Sequence, residues 1–190
     1  MIDAPEAIHA GLIGISGFAI CLIFALSTAS LTKDNFQFFP PPGKSSWQHI
    51  TFIWLFRLYL YPLAGLTLLE FEPSASVSDF LRYVLGGLLL LIGFGLAFRI
   101  TFHMGWRNAF GENRGLKTDG WFSKSRNPIY VATWVGLLGW AILASSSIVS
   151  GLLSLWALMY LVAPLVEEPW LEQQYGNAYR EYKKRVPRFF

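Results

Sequence analysis

A chain of 190 residues that is 54% hydrophobic and only 14% charged sits well below the roughly 25% charge of an ordinary soluble domain. That balance excludes such a domain and calls for a polytopic membrane protein. The formal charge of +3 does not call for nucleic acid, because most Lys and Arg flank apolar runs, where membrane topology accounts for them. Cys21 stands alone and His9, His49 and His103 are scattered, so neither an internal disulfide nor a metal site is expected.

A spanning helix needs about 20 mostly apolar residues. Residues 8–31 form the first such run; no Lys or Arg precedes it, unlike a signal peptide. Residues 49–69 form the second, interrupted by Arg57 and Pro62. Residues 81–98 form the third, whose Gly86, Gly87, Gly93 and Gly95 predict close packing against a neighbouring helix. Gly93-Phe94-Gly95 lacks a third glycine and lies inside an apolar helix, so it is no dinucleotide loop. Residues 129–144 and 148–166 form the fourth, which is short, and the fifth, joined by Ser145, Ser146 and Ser147 into a tight helical hairpin. The expected fold is all-α, with five transmembrane helices, a C-terminal hairpin and an amphipathic tail. It divides into N-terminal spans over 1–100 and a functional half over 101–190.

Charge orients the set. Arg107, Arg114, Lys117, Lys124 and Arg126 lie between spans three and four, and Arg180, Lys183, Lys184, Arg185 and Arg188 lie in the tail. Asp3 and Glu6 precede span one, and Glu70, Glu72 and Asp79 lie between spans two and three. Five spans with the N-terminus outside place every basic loop in the cytoplasm, as in a bacterial inner membrane. Trp47, Trp121 and Trp170 near the span ends fit interfacial aromatics.

Two polar groups flank the hairpin. Asn127 and Pro128 precede the fourth span as N-cap and first helical residue, so unpaired N–H groups there offer a carboxylate or phosphate a place to dock. Arg126 and Lys124 add positive charge. Glu167 and Glu168 end the fifth span, where acids oppose the helix dipole. Pro164 and Pro169 beside them leave the carbonyls of Tyr160 and Leu165 without helical partners. Such groups at membrane depth need protein or water around them, which predicts a polar cavity where the hairpin brings the two groups together. Leu171, Tyr175, Tyr179 and Tyr182 share a helical face, suited either to the membrane surface or to covering that cavity.

The ordered set Gly120-Trp121-Phe122, Arg126-Asn127-Pro128-x-Tyr130, Glu167-Glu168-x-x-Leu171, Tyr175-Gly176-x-x-Tyr179-x-x-Tyr182 and Val186-Pro187-Arg188 resembles the isoprenylcysteine carboxyl methyltransferase family, relatives of membrane phospholipid methyltransferases. The resemblance covers the last 85 residues or so, a stretch read here by family likeness and not by periodicity. It implies an S-adenosylmethionine-dependent membrane enzyme acting on a lipid or other hydrophobic small molecule. Arg114, Gly115, Leu116, Lys117, Phe122, Asn127, Pro128, Ile129 and Tyr130 would then line the cofactor site, with Glu167 and Glu168 toward the ribose or the sulfonium. Phe122 and Trp121 would suit the adenine. The family's carboxyl methylators carry an arginine in the last span; residues 160–166 hold none. Arg57 is the candidate replacement beside Glu168 in the catalytic set, with snorkelling to the interface as its other explanation. The acceptor atom is left open among oxygen, nitrogen and sulfur. A nicotinamide-binding membrane reductase similar to the sterol reductases, and a non-catalytic membrane subunit, are the alternatives.

Overall fold

Apolar runs set the helices and small polar residues end them. The computed structural model describes residues 4–33, 36–73, 76–105 and 115–190, and Arg107 and Arg114 lie outside them. Helix α1 runs Ala4–Thr32 and α2 runs Trp47–Leu69, where the Ser46 side chain accepts the His49 N–H. Helix α3, Val77–Met104, starts at a Ser76 cap on the Asp79 N–H and stops at Gly105, whose φ of 93° is open to glycine without steric cost. A 3-10 turn, Gly120–Ser123, leads to α4, Pro128–Ala144. Helix α5 runs Ser147–Tyr175, and Gly176 at φ 53° breaks it from the short α6, Asn177–Arg185.

The all-helical, polytopic expectation holds. Helices α1, α2, α3 and α5 are long and apolar enough to cross a membrane, while α4 has 17 residues and is about 25 Å long. The tight hairpin is also present: Ser145 adopts a left-handed φ of 51° and Ser146 caps α5 through the Val149 N–H. The largest boundary difference is at the end of the fifth span, read as residue 166: α5 continues through Pro164 and Pro169 to Tyr175. A proline removes one helical bond, and packing on a helix face sustains helices against such local losses.

The closest helix contact joins α3 and α4. A methyl group on Gly93 would approach the Gly136 nitrogen to 2.1 Å, and one on Gly139 would approach the Leu90 nitrogen to 2.3 Å. Gly86 meets Leu143 and the Gly139 carbonyl in the same seam, whereas Gly87 and Gly95 face open space. Packing against a partner helix therefore uses two of the four predicted glycines, spaced by two helical turns. Across the bundle, the Ser16 hydroxyl donates to the Tyr59 carbonyl (2.9 Å) and the Tyr59 hydroxyl donates to the Leu152 carbonyl (3.1 Å). Ile20, Leu63, Leu137, Val149 and Trp156 share one apolar core, so helices from both halves of the chain are interlocked.

The two ends of the bundle differ in charge. At one end His9 meets Glu70 (2.5 Å), and Glu70, Glu72 and Arg82 gather around Ser145, Ser146 and Ser147. The other end collects the C-terminal ends of α1, α3 and α5, the starts of α2 and α4, and the basic tail.

Candidate functional site

A cavity of about 330 Å³ opens at that basic end, within the size range of small-molecule sites. Gly115, Leu116, Lys117, Phe122, Asn127, Pro128, Ile129, Tyr130, Glu167 and Glu168 all line it. The structure thus brings these ten residues together; Trp121, also assigned to the cofactor, does not line the cavity, and Arg114 falls outside the described residues. Local folding explains the convergence. The α4–α5 hairpin returns the end of α5 to the start of α4, and a hydrogen bond between the Gly115 backbone and the Tyr175 hydroxyl ties the incoming loop to α5.

Arg57 is not part of it. That residue is exposed, with its guanidinium 5.3 Å from the Trp54 ring centroid, and does not line the cavity. The Trp54 ring offers that charge a cation–π contact. Lys124 likewise turns away, over the exposed Trp121 at 5.9 Å, and neither residue lines the cavity.

The two acids differ in their partners. Glu168 is 4% exposed. It accepts hydrogen bonds from Arg126 (2.7 Å) and from Arg188 (2.8 and 3.0 Å), with Lys183 at 3.4 Å. Arg126 also donates to the carbonyls of Lys183 (2.9 Å) and Val186 (2.8 Å). Its guanidinium is therefore committed to Glu168 and the tail, and only its buried Nε lacks a partner. Glu167 sits one residue earlier on the other side of this hub. It accepts the Tyr130 hydroxyl at 2.6 Å, and the Tyr130 ring stacks on Tyr160 with centroids 4.3 Å apart.

The helix start is less open than the capping pattern suggests. The Asn127 side chain makes no cap; its amide donates to the Arg188 carbonyl (3.1 Å). Pro128 has no N–H, and the N–H groups of Tyr130 and Val131 both turn back to the Asn127 carbonyl. Asn127 is instead one of several attachments for the tail. The Arg126 N–H donates to the Pro187 carbonyl (2.9 Å), the Ser125 hydroxyl to the Arg188 carbonyl (3.2 Å), and Phe189 packs on Trp134. A polar residue at a helix start satisfies a distant strand of chain as readily as its own helix, and local spacing does not distinguish the two.

The tail covers the cavity. Tyr179 and Tyr182 are buried against Ile100, Phe122 and Ala132, and the Tyr182 hydroxyl donates to the Phe122 carbonyl at 2.6 Å. Burial pushes the Tyr182 hydroxyl up to about 12, so it stays a donor at physiological pH. Arg188 is raised above its ordinary value, first through its hydrogen bond to Glu168, and remains charged. Leu171, Tyr175, Tyr179 and Tyr182 all line the cavity.

The sequence reading missed the opposite wall. Phe24, Ser27, Phe39, Pro41, His49 and Phe52 come from the first half of the chain and complete the cavity. The one local signal for them is His49 beside the polar stretch ahead of the second span. Arg126 lines the cavity too, through a guanidinium held by buried partners.

The profile of the phospholipid methyltransferase family matches residues 81–178, which takes in α3 and most of the cavity's C-terminal wall. Over 80 residues the chain is 35% identical to the cobalt-zinc-cadmium resistance protein CzcN of Cupriavidus metallidurans, a match covering 42% of this chain and 37% of that protein. The chain thus aligns with little more than a third of CzcN's length. No solved structure matches.

Proposed function

We propose, from the premise that this chain belongs to the phospholipid methyltransferase family, that it is an integral membrane methyltransferase using S-adenosylmethionine and a hydrophobic acceptor. The observation that carries this reading is the convergence of residues 115–117, Phe122, the start of α4 and the paired acids on one cavity beneath the tail. In that reading the basic end faces the cytoplasm, as the loop charges require.

The lining fits the methyl donor group by group. Lys117 supplies a cation for its carboxylate. Glu167, fixed by Tyr130, supplies an anion for its sulfonium or ribose, and Phe122 with the Tyr130–Tyr160 stack offers aromatic faces to a cation or a purine. The bound donor would contribute an electrophilic methyl carbon. The chain's own part is positioning and exclusion of water, for which the buried tyrosines of the tail and the apolar opposite wall are suited. Glu168 acts here by holding the cover, through Arg126 and Arg188, so its role is positional.

Calorimetric titration with S-adenosylhomocysteine and with NADPH tests the assignment. Binding of S-adenosylhomocysteine is expected; binding of NADPH alone would make the protein a reductase, and binding of neither would leave a non-catalytic subunit. Glu167→Gln and Tyr130→Phe each remove one side of the 2.6 Å contact. Each is expected to weaken S-adenosylhomocysteine about tenfold, or about 1.4 kcal/mol, with the fold intact by circular dichroism. Unchanged affinity in both would place the donor elsewhere.

A further inference from the structure

The wall built by the first half of the chain differs in chemistry from the wall that carries the acids. It presents Phe24 and Ser27 from α1, Phe39 and Pro41 from the 36–46 loop, and His49 and Phe52 from α2. Among the described residues, no Lys, Arg, Asp or Glu of this half lines the cavity. The family match begins at residue 81 and does not reach this wall.

The wall is also held in place. The N–H groups of Phe38 and Phe39 donate to the Ser30 hydroxyl (2.8 and 3.4 Å), and the Gln37 amide donates to the Pro40 carbonyl (2.6 Å). Gln48 donates back to the Gln37 carbonyl (3.2 Å), and the Ser46 cap fixes the first turn of α2 through the His49 N–H (3.2 Å). Phe52 stacks on Phe56 and packs against Phe39, at 6.1 and 5.6 Å between centroids. A surface pinned at this many points is formed before a ligand arrives, as binding sites for small apolar molecules usually are.

Resting on the methyltransferase reading above, we infer that this wall receives an uncharged, apolar acceptor whose nucleophile is a thiol or hydroxyl, and that His49 takes its proton. Each alternative acceptor meets a missing partner. A carboxylate or phosphate against these aromatics would be desolvated without a cation in contact; Lys117 lies on the other wall, Arg126 there is bonded to Glu168, and Lys44, whose charge is felt by His49, does not line the cavity. A protonated amine would need an acid of its own; Glu168 is held by the arginines, and Glu167, on the opposite wall, is taken by the donor in this reading. A thiol or hydroxyl enters neutral but must shed a proton to react fully. Histidine is the side chain most often used for that transfer, and His49 is the titratable group on this wall. The acceptor's sulfur or oxygen lone pair forms the new bond to the methyl carbon as the old carbon–sulfur bond breaks, its electron pair remaining on the donor sulfur. The acceptor's proton passes to an imidazole nitrogen of His49 and then to water.

The test uses the full-length protein in nanodiscs with four acceptors: octanethiol, 4-octylphenol, S-farnesylcysteine as a carboxylate, and phosphatidylethanolamine as a lipid amine. S-adenosylhomocysteine affinity is measured in parallel. Methyl transfer to the thiol or the phenol is expected, with little to the other two. His49→Gln should lower kcat by about 100-fold, the lower end for general base catalysis, while KM and S-adenosylhomocysteine affinity stay within threefold or so. Added imidazole should restore part of the rate in His49→Ala. A readout independent of turnover is the absorbance of an apolar 4-nitrophenol bound without methyl donor: ionisation in the parent and none in His49→Gln. Transfer confined to the carboxylate or lipid amine, transfer to none of the four, or a His49→Gln enzyme as fast as the parent would overturn the inference. If the parent fails to bind S-adenosylhomocysteine, the methyltransferase reading falls first and this inference falls with it.

Discussion

Glu168→Ala is expected to release the C-terminal cover and abolish measurable S-adenosylhomocysteine binding. Its carboxylate is 4% exposed and takes three hydrogen bonds from Arg126 and Arg188. Removing one member of a buried ion pair leaves the other uncompensated, at a cost of about 3–5 kcal/mol. Here the stranded charge is Arg126, whose side chain is 9% exposed; Arg188, at 37% exposed, regains water and adds little. Because Arg126 also holds the Lys183 and Val186 carbonyls, its displacement loosens the tail from the start of α4. Hydrogen exchange should therefore rise across residues 177–190 while the transmembrane core stays protected, and the melting temperature in detergent should fall. Arg126→Met should cost less, because Glu168 keeps Arg188 and Lys183 as partners. The double variant Glu168→Ala/Arg126→Met should be more stable than Glu168→Ala alone, since it removes the stranded charge along with its partner. If Glu168 instead contacts the donor directly, Glu168→Ala would lose affinity with no change in tail protection, and the double variant would regain nothing.

How far the sequence reached depends on the range of each interaction. The helices and the hairpin are written in apolar runs, which are local, and Ser46, Ser76 and Ser146 then cap α2, α3 and α5. The C-terminal wall of the cavity follows because the hairpin folds adjacent stretches together, so proximity in space tracks proximity in the chain. What was illegible is long-range. Asn127 reads as a cap but bonds to Arg188, 61 residues away. Arg126 reads as loose positive charge at an anion site but is committed to Glu168, 42 residues away. Arg57 reads as a functional charge within a span, yet its position on the helix surface points it outward, and a single charge has no periodicity to reveal which side of a helix it takes. His49 and its aromatic neighbours join the cavity because α1 and α2 pack onto α5, an arrangement that no local motif encodes.

The glycines of α3 carry the second large effect, because their spacing alone makes four of them look equivalent. Gly93→Ala is expected to be severely destabilising, while Gly95→Ala, two residues away, should leave stability unchanged or raise it. The added methyl at Gly93 would sit 2.1 Å from the Gly136 nitrogen and 2.8 Å from the Ala132 carbonyl. These are backbone atoms that no rotamer change can move, so α3 and α4 must separate. Overpacking of a core costs about 1–3 kcal/mol even where side chains can adjust, and a backbone-to-backbone clash belongs at or above the top of that range. Gly95 has nothing within 4 Å of the same methyl, and a helix-interior Gly→Ala exchange there gains up to about 1 kcal/mol of helix propensity. The contrast has a functional side. Thr101 and Met104 at the end of α3 line the cavity together with Pro128 and Ile129 at the start of α4, so a wedge at Gly93 opens the cavity's base about two turns away. Gly93→Ala should thus lose both folded yield in detergent and S-adenosylhomocysteine affinity, and Gly95→Ala neither. Equal tolerance at both positions would mean that α3 and α4 are not joined through this seam, and the cavity between their ends would have to be rebuilt.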